Sequence, residues 1–268
     1  MNALSGSARL NARLIAMAAW ACYVFLLLPS LIVIPISFGN SRQIEFPPRE
    51  FSIALYRQFF SDQAWWGSMV QSLFVATTTT VLTLVLAVPA AYALVRSHLP
   101  ANRLLRGLFM TPMLVPVIVL GLGLYLQFSS WSLLDTTSGL IFSHIMLTTP
   151  FVMVAVTSGL QHADRSLETV ASIMGASRPV IFLRVLLPQL KTSIAVGALF
   201  AFLMSLDEVV VAYFVTGTRS MTLPVKMFSS IRWELTPVLA AVSTLLSLLS
   251  LLIAVGIITL QRKTEALS

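Results

Sequence analysis

Apolar positions run through this chain in long blocks that no charge interrupts. Residues 14–41, 63–95, 107–134, 136–163 and 235–261 contain no Asp, Glu, Lys or Arg. Each block exceeds the roughly 20 residues that cross a bilayer core as a helix. A sixth block, 192–216, is broken only by Asp207 and Glu208. Because block ends extend into the interface, the pattern predicts helices near 14–37, 67–94, 107–127, 139–160, 192–215 and 238–260. Trp65 and Trp66 fit a headgroup boundary, where amphipathic rings are favoured. Composition agrees with a lipid-solvated chain: 57% of residues are hydrophobic and 10% charged, with a mean hydropathy of +0.89, whereas a soluble domain carries about 25% charged residues.

The expected fold class is therefore an all-α polytopic membrane protein of six transmembrane helices. Residues 1–268 are read as a single domain, since no repeat or polar linker divides them. Arg9 and Arg13 precede a first block too long for a secretory leader and without a small-residue cleavage site, so an uncleaved first helix is expected. The lone cysteine, Cys22, has no partner for an internal disulfide and is read as packing. Prolines 29, 35, 89, 112, 116 and 150 each remove a backbone donor inside a block. Pro112, Pro116, Gly121 and Gly123 together predict a bent, closely packed helix. In the 40–62 loop, Pro47-Pro48 breaks any helix and Phe51 to Phe60 suits a short one lying on the surface. The 217–236 segment carries Pro224 and Trp233, with Pro237 following. Both segments read either as surfaces for an external partner or as ordinary connections.

Orientation follows from the basic residues. With the N-terminus inside, the two tails and the 96–106 and 161–191 loops hold 11 of the 17 Lys and Arg. This asymmetry predicts that both termini are cytoplasmic. The net charge of +7 is scattered over loops and forms no continuous stripe, which argues against nucleic acid.

The loop at 161–191 is too long for a plain connection and needs structure of its own. Asp164 or Ser166 suits a helix start. Leu167, Val170, Ala171 and Met174 share one helical face, and Gly175 suits the helix end. A second helical piece is expected from Pro179 to Leu187, beginning on proline in the favoured first turn. On periodicity alone, two readings stand: a compact cytoplasmic knob, or an amphipathic helix lying on anionic lipid beside Arg165, Arg178, Arg184 and Lys191.

Asp207 and Glu208 are costly within a span, by about 2.5–3.5 kcal/mol each on insertion scales. On a continuous helix Asp207 would group with Phe200, Leu203, Met204, Val211 and Phe214. Glu208 would group with Ala201, Ser205 and Ala212. A structural role between subunits and a role in a translocation path both remain open.

Several chemistries lack their residues. There is no G-x-x-x-x-G-K-[ST] phosphate loop, no H-E-x-x-H, no C-x-x-C and no G-x-S-x-G. His98, His144 and His162 are too dispersed to suggest a metal centre and read as singly satisfied side chains. No catalytic residue, cofactor or metal is expected. Uphill transport would need energy from another polypeptide.

The sequence LETVASIMGASRPVIFLRVLLP, residues 167–188, resembles the cytoplasmic loop of binding-protein-dependent ABC importer permeases. Their pattern is close to E-A-A-x-x-x-G, nine residues, then I-x-L-P. Thr169, Val170 and Ala171 fall on its first three positions, Gly175 on the glycine, and Val185, Leu187 and Pro188 on its end. Thr169 stands where Glu is usual, with Glu168 just before it, and Val170 replaces an alanine. SLDEVVVAYFVTG at 205–217 and TLPVKMFSSIRWELTPVLAAVSTLL at 222–246 are similar to permeases of the polyamine, iron and phosphonate uptake group.

The resemblance implies a type I ABC importer permease-like bundle with a cytoplasmic coupling-helix loop. The loop would comprise Leu167, Glu168, Thr169, Val170, Ala171, Met174, Gly175, Ala176, Ser177, Leu187 and Pro188, docked on an ATPase. The chain would be a non-catalytic subunit of a bacterial inner-membrane importer. Its implied partners are a second, related permease chain, two ATP-binding subunits and an external solute-binding protein. Polyamines such as spermidine or putrescine are the first expected solutes, with ferric iron, phosphonates and opine-like compounds open. The rival reading is a self-contained secondary transporter or channel driven by an ion gradient.

Overall fold

In the computed structural model, residues 6–40, 44–96, 102–233 and 236–265 are described; His98 lies outside them. The described residues contain no strand and separate into two compact units, 1–62 with 233–249 and 63–232 with 250–268.

The first unit begins with α1 (Gly6–Ser37), whose side chains from Arg13 to Leu28 are all exposed. Cys22 is exposed with them, so it packs on nothing in this chain. After α1 the backbone turns, Ser52 N donates to the Phe38 carbonyl, and α2 (Ala54–Ser61) overlaps the expected 51–60 segment. Ser37 Oγ and Tyr56 OH, 2.7 Å apart, tie the two helices together. Leu55 and Phe59 supply the buried face of α2.

The second unit is built on α3 (Gln63–Arg96) and α6 (Thr137–His162), which lie side by side and parallel. Gln71 donates to Thr137 at 2.9 Å, and the Thr83 and Thr148 hydroxyls meet at 2.9 Å twelve and eleven residues further on. Small side chains at the seam (Ala87, Ala91 and Ala201, all fully buried) let backbones approach, as packing between helices in lipid requires. Val152, Met153, Val156 and Leu160 complete that core. Trp65 is buried with Lys226 Nζ 5.6 Å above its ring.

Among the described residues, four helices are long and apolar enough to cross a membrane: Arg13–Ser37, Gln63–Arg96, Thr137–His162 and Val238–Ile257. The number reaches six if each of two bent pairs is one crossing. One pair is α4 (Asn102–Leu114) and α5 (Val117–Ser130), bent by 103°. The expected bend lies at Pro116, whose φ of −54° and ψ of 129° take the chain out of the helix. The expected close packing holds at Gly121, where an added Cβ would meet the Phe214 ring at 2.6 Å, but Gly123 faces open space. The other pair is α8 (Arg178–Gln189), which contains a π-helical turn at Ile181–Leu186, and α9 (Lys191–Leu206), bent by 77°.

The expected continuous helix over 192–215 is therefore corrected. It ends at Leu206 and restarts as α10 (Val210–Val215). The faces assigned to Asp207 and Glu208 beyond that break do not exist. The 217–236 segment, read as a loop, contains α11 (Leu223–Trp233). Tertiary contacts support it: Ser72 Oγ accepts from Leu223 N at 2.7 Å, and the Tyr213 and Phe228 rings pack at 5.5 Å. The last helix, α12, is Val238–Glu265.

Asp135, between α5 and α6, holds the segment after α10. Its Oδ1 accepts from Gly217 N at 2.9 Å, Arg219 N at 3.0 Å, and Ser220 N and Oγ, each at 3.0 Å. A Cβ on Gly217 would strike the Asp135 carboxyl at 2.5 Å, so only glycine fits there. Burial is the largest single influence on this carboxyl and pulls its pKa upward. The bonds from the Ser220 hydroxyl and from the Ser220, Arg219 and Gly217 amides together outweigh it, leaving the pKa below the ordinary 3.8. A depressed folded-state value means the stabilisation is complete above pH 3.8 and is lost as pH falls through the folded value. Asp135→Asn is expected to cost about 1–2 kcal/mol at neutral pH. It should also flatten the acid limb of the melting curve below pH 4, which thermal melts of wild type and variant in detergent would measure.

Candidate functional site

Helix α7 (Arg165–Ile173) starts where the Asp164 carboxylate accepts from Ser166 N at 2.8 Å. Those bonds, to the Ser166 amide first and its hydroxyl second, hold the Asp164 pKa below its ordinary value. The helix stops in a six-residue loop motif: Ala176 N donates to Ala171 O and Gly175 N to Ser172 O, both at 3.0 Å. Gly175 has φ +84° with open space around it, so backbone conformation alone calls for glycine.

The two faces of α7 differ from the expected division. Leu167, Val170 and Met174 point outward as one stripe, joined by Ile173, whereas Ala171 turns inward and is half-buried. Ile173 and Met174 are 81% and 82% exposed, the most open apolar side chains of this segment. Glu168 also faces inward. Arg96, at the end of α3, donates to its Oε1 from Nη2 at 2.7 Å and from Nε at 3.0 Å. The two side chains are only 12% and 14% exposed, so this pair is shielded from solvent. Thr169 bonds back to the Arg165 carbonyl.

The rest of the segment anchors α7. Leu187 packs against a core formed by Leu186, Leu190 and Leu160, while Ser177 and Pro188 are exposed. Gln189 accepts from Asp164 N at 2.9 Å and donates to the Val185 carbonyl at 3.0 Å, closing the loop on itself. The Tyr92 and Phe182 rings meet at 5.2 Å, a second tie between α3 and α8. Sequence reasoning missed Arg96, Gln189 and Tyr92. Their partners lie 72, 25 and 90 residues away in sequence, and no local period marks them.

Asp207 and Glu208 lie at the break in the 192–216 block. Asp207 ends α9 and is exposed. Glu208 is half-buried, and its Oε1 accepts from Val211 N at 2.6 Å, which caps the start of α10. His144 is buried with Nδ1 2.7 Å from Ser205 Oγ, yet its Nε2 has no partner, so only half of the expected satisfaction is present. His162 Nδ1 lies 2.8 Å from the Ser158 carbonyl. Among the described residues no three or more His, Cys, Asp or Glu side chains are grouped to hold a metal ion.

Residues 83–263 match the family described as binding-protein-dependent transport system inner membrane component. The spermidine/putrescine transport system permease protein PotC of Escherichia coli K12 is 31% identical over 240 residues, which cover 88% of this chain and 89% of that protein. The putrescine transport system permease protein PotI of the same strain is 30% identical over 243 residues, covering 88% and 84%. Among solved structures, a bacterial ABC transporter involved in the import of the acidic polysaccharide alginate contains a chain that superposes with a TM-score of 0.79. The match covers 98% of this chain and 99% of that one. At 17% identity, that likeness concerns the fold.

The Arg96–Glu168 pair fixes α7 to α3, so its removal should loosen α7 before anything else. Arg96→Ala is expected to weaken closure by about 1–2 kcal/mol and so accelerate tryptic cleavage after Arg165 about 5- to 30-fold. Limited proteolysis of the purified chain measures this. Glu168→Gln should act in the same direction, and the double variant should add little.

Proposed function

This chain belongs to the family of binding-protein-dependent transport system inner membrane components, and on that premise we propose that it is the polyamine-translocating permease subunit of an ATP-driven importer. It is an ABC importer permease subunit and a multi-pass protein of the inner membrane. The finer reading rests above all on one observation: a short helix that leaves Leu167, Val170, Ile173 and Met174 uncovered while Arg96 holds its Glu168 to the bundle. Burying an Ile or Met side chain contributes about 1.5–3 kcal/mol. Ile173 and Met174 therefore offer about 3–6 kcal/mol to whatever covers them. A rigid, capped helix presenting such a stripe suits a groove on a partner ATPase.

In this reading α7 is the coupling helix, the termini are cytoplasmic, and two ATP-binding subunits act on this chain and a second, related permease. ATP binding draws the ATPases together and moves each α7 as a solid lever. Arg96 carries that movement into α3, while Leu187 and Gln189 carry it through α8 into α9. Rocking of the paired bundles then opens a central path alternately to each side. An external binding protein delivers the solute. Spermidine and putrescine come first because PotC and PotI, each about 30% identical over most of both chains, carry those names. Asp207, an exposed carboxylate at an unwound point of a span, suits a polyvalent cation on its way through.

Ile173→Glu with Met174→Glu puts charge where the apolar stripe must dock. With the chain still inserted in the membrane, the pair is expected to lower ATP-dependent spermidine uptake by about 30-fold, the scale of a lost interface anchor. Uptake into proteoliposomes holding the complete transporter measures this. Uptake that persists without ATP, driven by an ion gradient alone, would replace this reading with a secondary transporter. Asp207→Asn is expected to reduce spermidine uptake about tenfold, the factor for one interaction of about 1.4 kcal/mol. Normal assembly with undiminished uptake would remove Asp207 from the path.

A further inference from the structure

A cavity of about 310 Å³ opens between α4 and α6, with Leu94 of α3 also in its wall. Its lining is graded along α6. Met153 and Val154 form one end, Ser158 and Gln161 the other, with Met110 of α4 at the apolar end and Arg106 at the polar end. From Met153 to Gln161 is eight residues, or about 12 Å of helix. The headgroup zone of one leaflet is about 6 Å deep. The cavity is therefore long enough to run from headgroup depth into the hydrocarbon.

The charge at its mouth is not neutralised within the chain. Arg106 donates from Nη2 to the Leu94 carbonyl at 3.2 Å. Among the described residues the ion pairs are Glu45–Arg49 and Arg96–Glu168, neither of which includes Arg106. A guanidinium carries five donors in a planar fork that matches phosphate oxygens. Arg103 lies on the same helix but does not line the cavity. Leu104 and Leu108 of α4 are exposed, an apolar face suited to lipid.

We propose that this cavity binds one anionic phospholipid, its headgroup phosphate on Arg106 and the Ser158–Gln161 end, and an acyl chain along Met110, Met153 and Val154. A free phosphate would leave the apolar end empty, a lipid without phosphate would leave Arg106 unpaired, and a zwitterionic phospholipid would bring its own cation beside Arg106. The occupant satisfies both ends only as an anionic lipid. The site is separate from solute transport and does not depend on which solute is carried. With the termini cytoplasmic it draws from the inner leaflet, which the positive-inside arrangement also favours. Bound there, the lipid wedges α4 against α6 close to the 103° bend, so membrane composition reaches the helices around that bend.

The full-length chain, reconstituted in phosphatidylcholine vesicles, is to be exposed to photoreactive phosphatidylglycerol or to photoreactive phosphatidylcholine with the same acyl chain. Mass spectrometry then locates the label. Phosphatidylglycerol should label the α4 and 153–161 peptides preferentially. Arg106→Gln should cut that labelling about fivefold, the scale of one basic residue at an anionic surface, while Arg103→Gln leaves it unchanged. Val154→Trp, which fills the apolar end and spares the charge, should also cut it and serves if Arg106→Gln fails to fold. Equal labelling by both lipids would overturn the proposal, as would equal losses from Arg103→Gln and Arg106→Gln. So would displacement of the label by water-soluble glycerol 3-phosphate, or capture of a second polypeptide at these peptides.

Discussion

Backbone groups inside a bilayer have no water to bond, and every break in a helix there must be closed by the protein itself. That constraint organises the polar side chains of this chain. Glu208 accepts the amide of Val211 where the 192–216 block is interrupted. Ser72, fully within α3, accepts the amide of Leu223 at the start of α11. Asp135 gathers three amides and a hydroxyl after α10. Outside the apolar spans the same device recurs, with Asp164 on Ser166 and Gln189 on Asp164. Acids and amides that look like candidate solute ligands are in several cases caps, and the permitted breaks are where the chain can bend without exposing its backbone.

The long periods were legible because lipid solvent writes them into composition. The charge-free blocks fall on the long apolar helices Arg13–Ser37, Gln63–Arg96, Thr137–His162 and Val238–Ile257, and Gly175 marks the end of α7 through the left-handed conformation it adopts. The breaks were not legible. Apolarity reports where a chain can be buried, and it is silent about whether the helix inside a block continues. At 207–209 the competing principle was capping: Glu208 gains more as an acceptor for Val211 than as one more residue of a continuous helix. Pro116 signalled a bend, yet the size of that bend depends on the helices around it. Pairings such as Arg96 with Glu168, or Asp135 with Ser220, link residues 72 and 85 positions apart. Periodicity has no access to such distances. For α7, the period placed Ala171 with Leu167, Val170 and Met174, but Arg96 rotates the inward face toward Glu168 and Ala171.

The stiffness of the α7 segment has a specific basis. Its start is capped by Asp164, its end is closed by the Gly175 turn, and its flanks are joined by Gln189. The Arg96–Glu168 pair then fastens it to the longest helix of the chain, α3. A helix of nine residues is marginal alone in water, so these ties maintain its shape. They also leave its apolar stripe outward, which is unfavourable unless something covers it. Arg165 and Arg178 flank the stripe at either end. In the proposed function that geometry is what a lever requires: stiffness along its length and adhesion at its surface.

Division of labour follows from what the chain carries. It has no phosphate-cradling loop, so energy from ATP would have to enter as motion at an apolar contact. In the proposed function, mechanical input at α7 would reach α3 through the Arg96–Glu168 ion pair and α9 through Leu186 and Leu190, with half-buried Leu187 against them. These routes differ physically. The ion pair is directional and can break and re-form, whereas leucine packing transmits displacement only while it stays close-packed. Loss of the pair should therefore let α7 move without α3, uncoupling one helix and leaving the other driven. The bend between α8 and α9, 77° at Leu190, would then turn a push on α7 into a tilt of the helix that ends at Asp207. A tilt at one end of α9 displaces the unwound 207–209 stretch at the other. An exposed carboxylate at that stretch is the group whose surroundings would change most between the two positions of the lever.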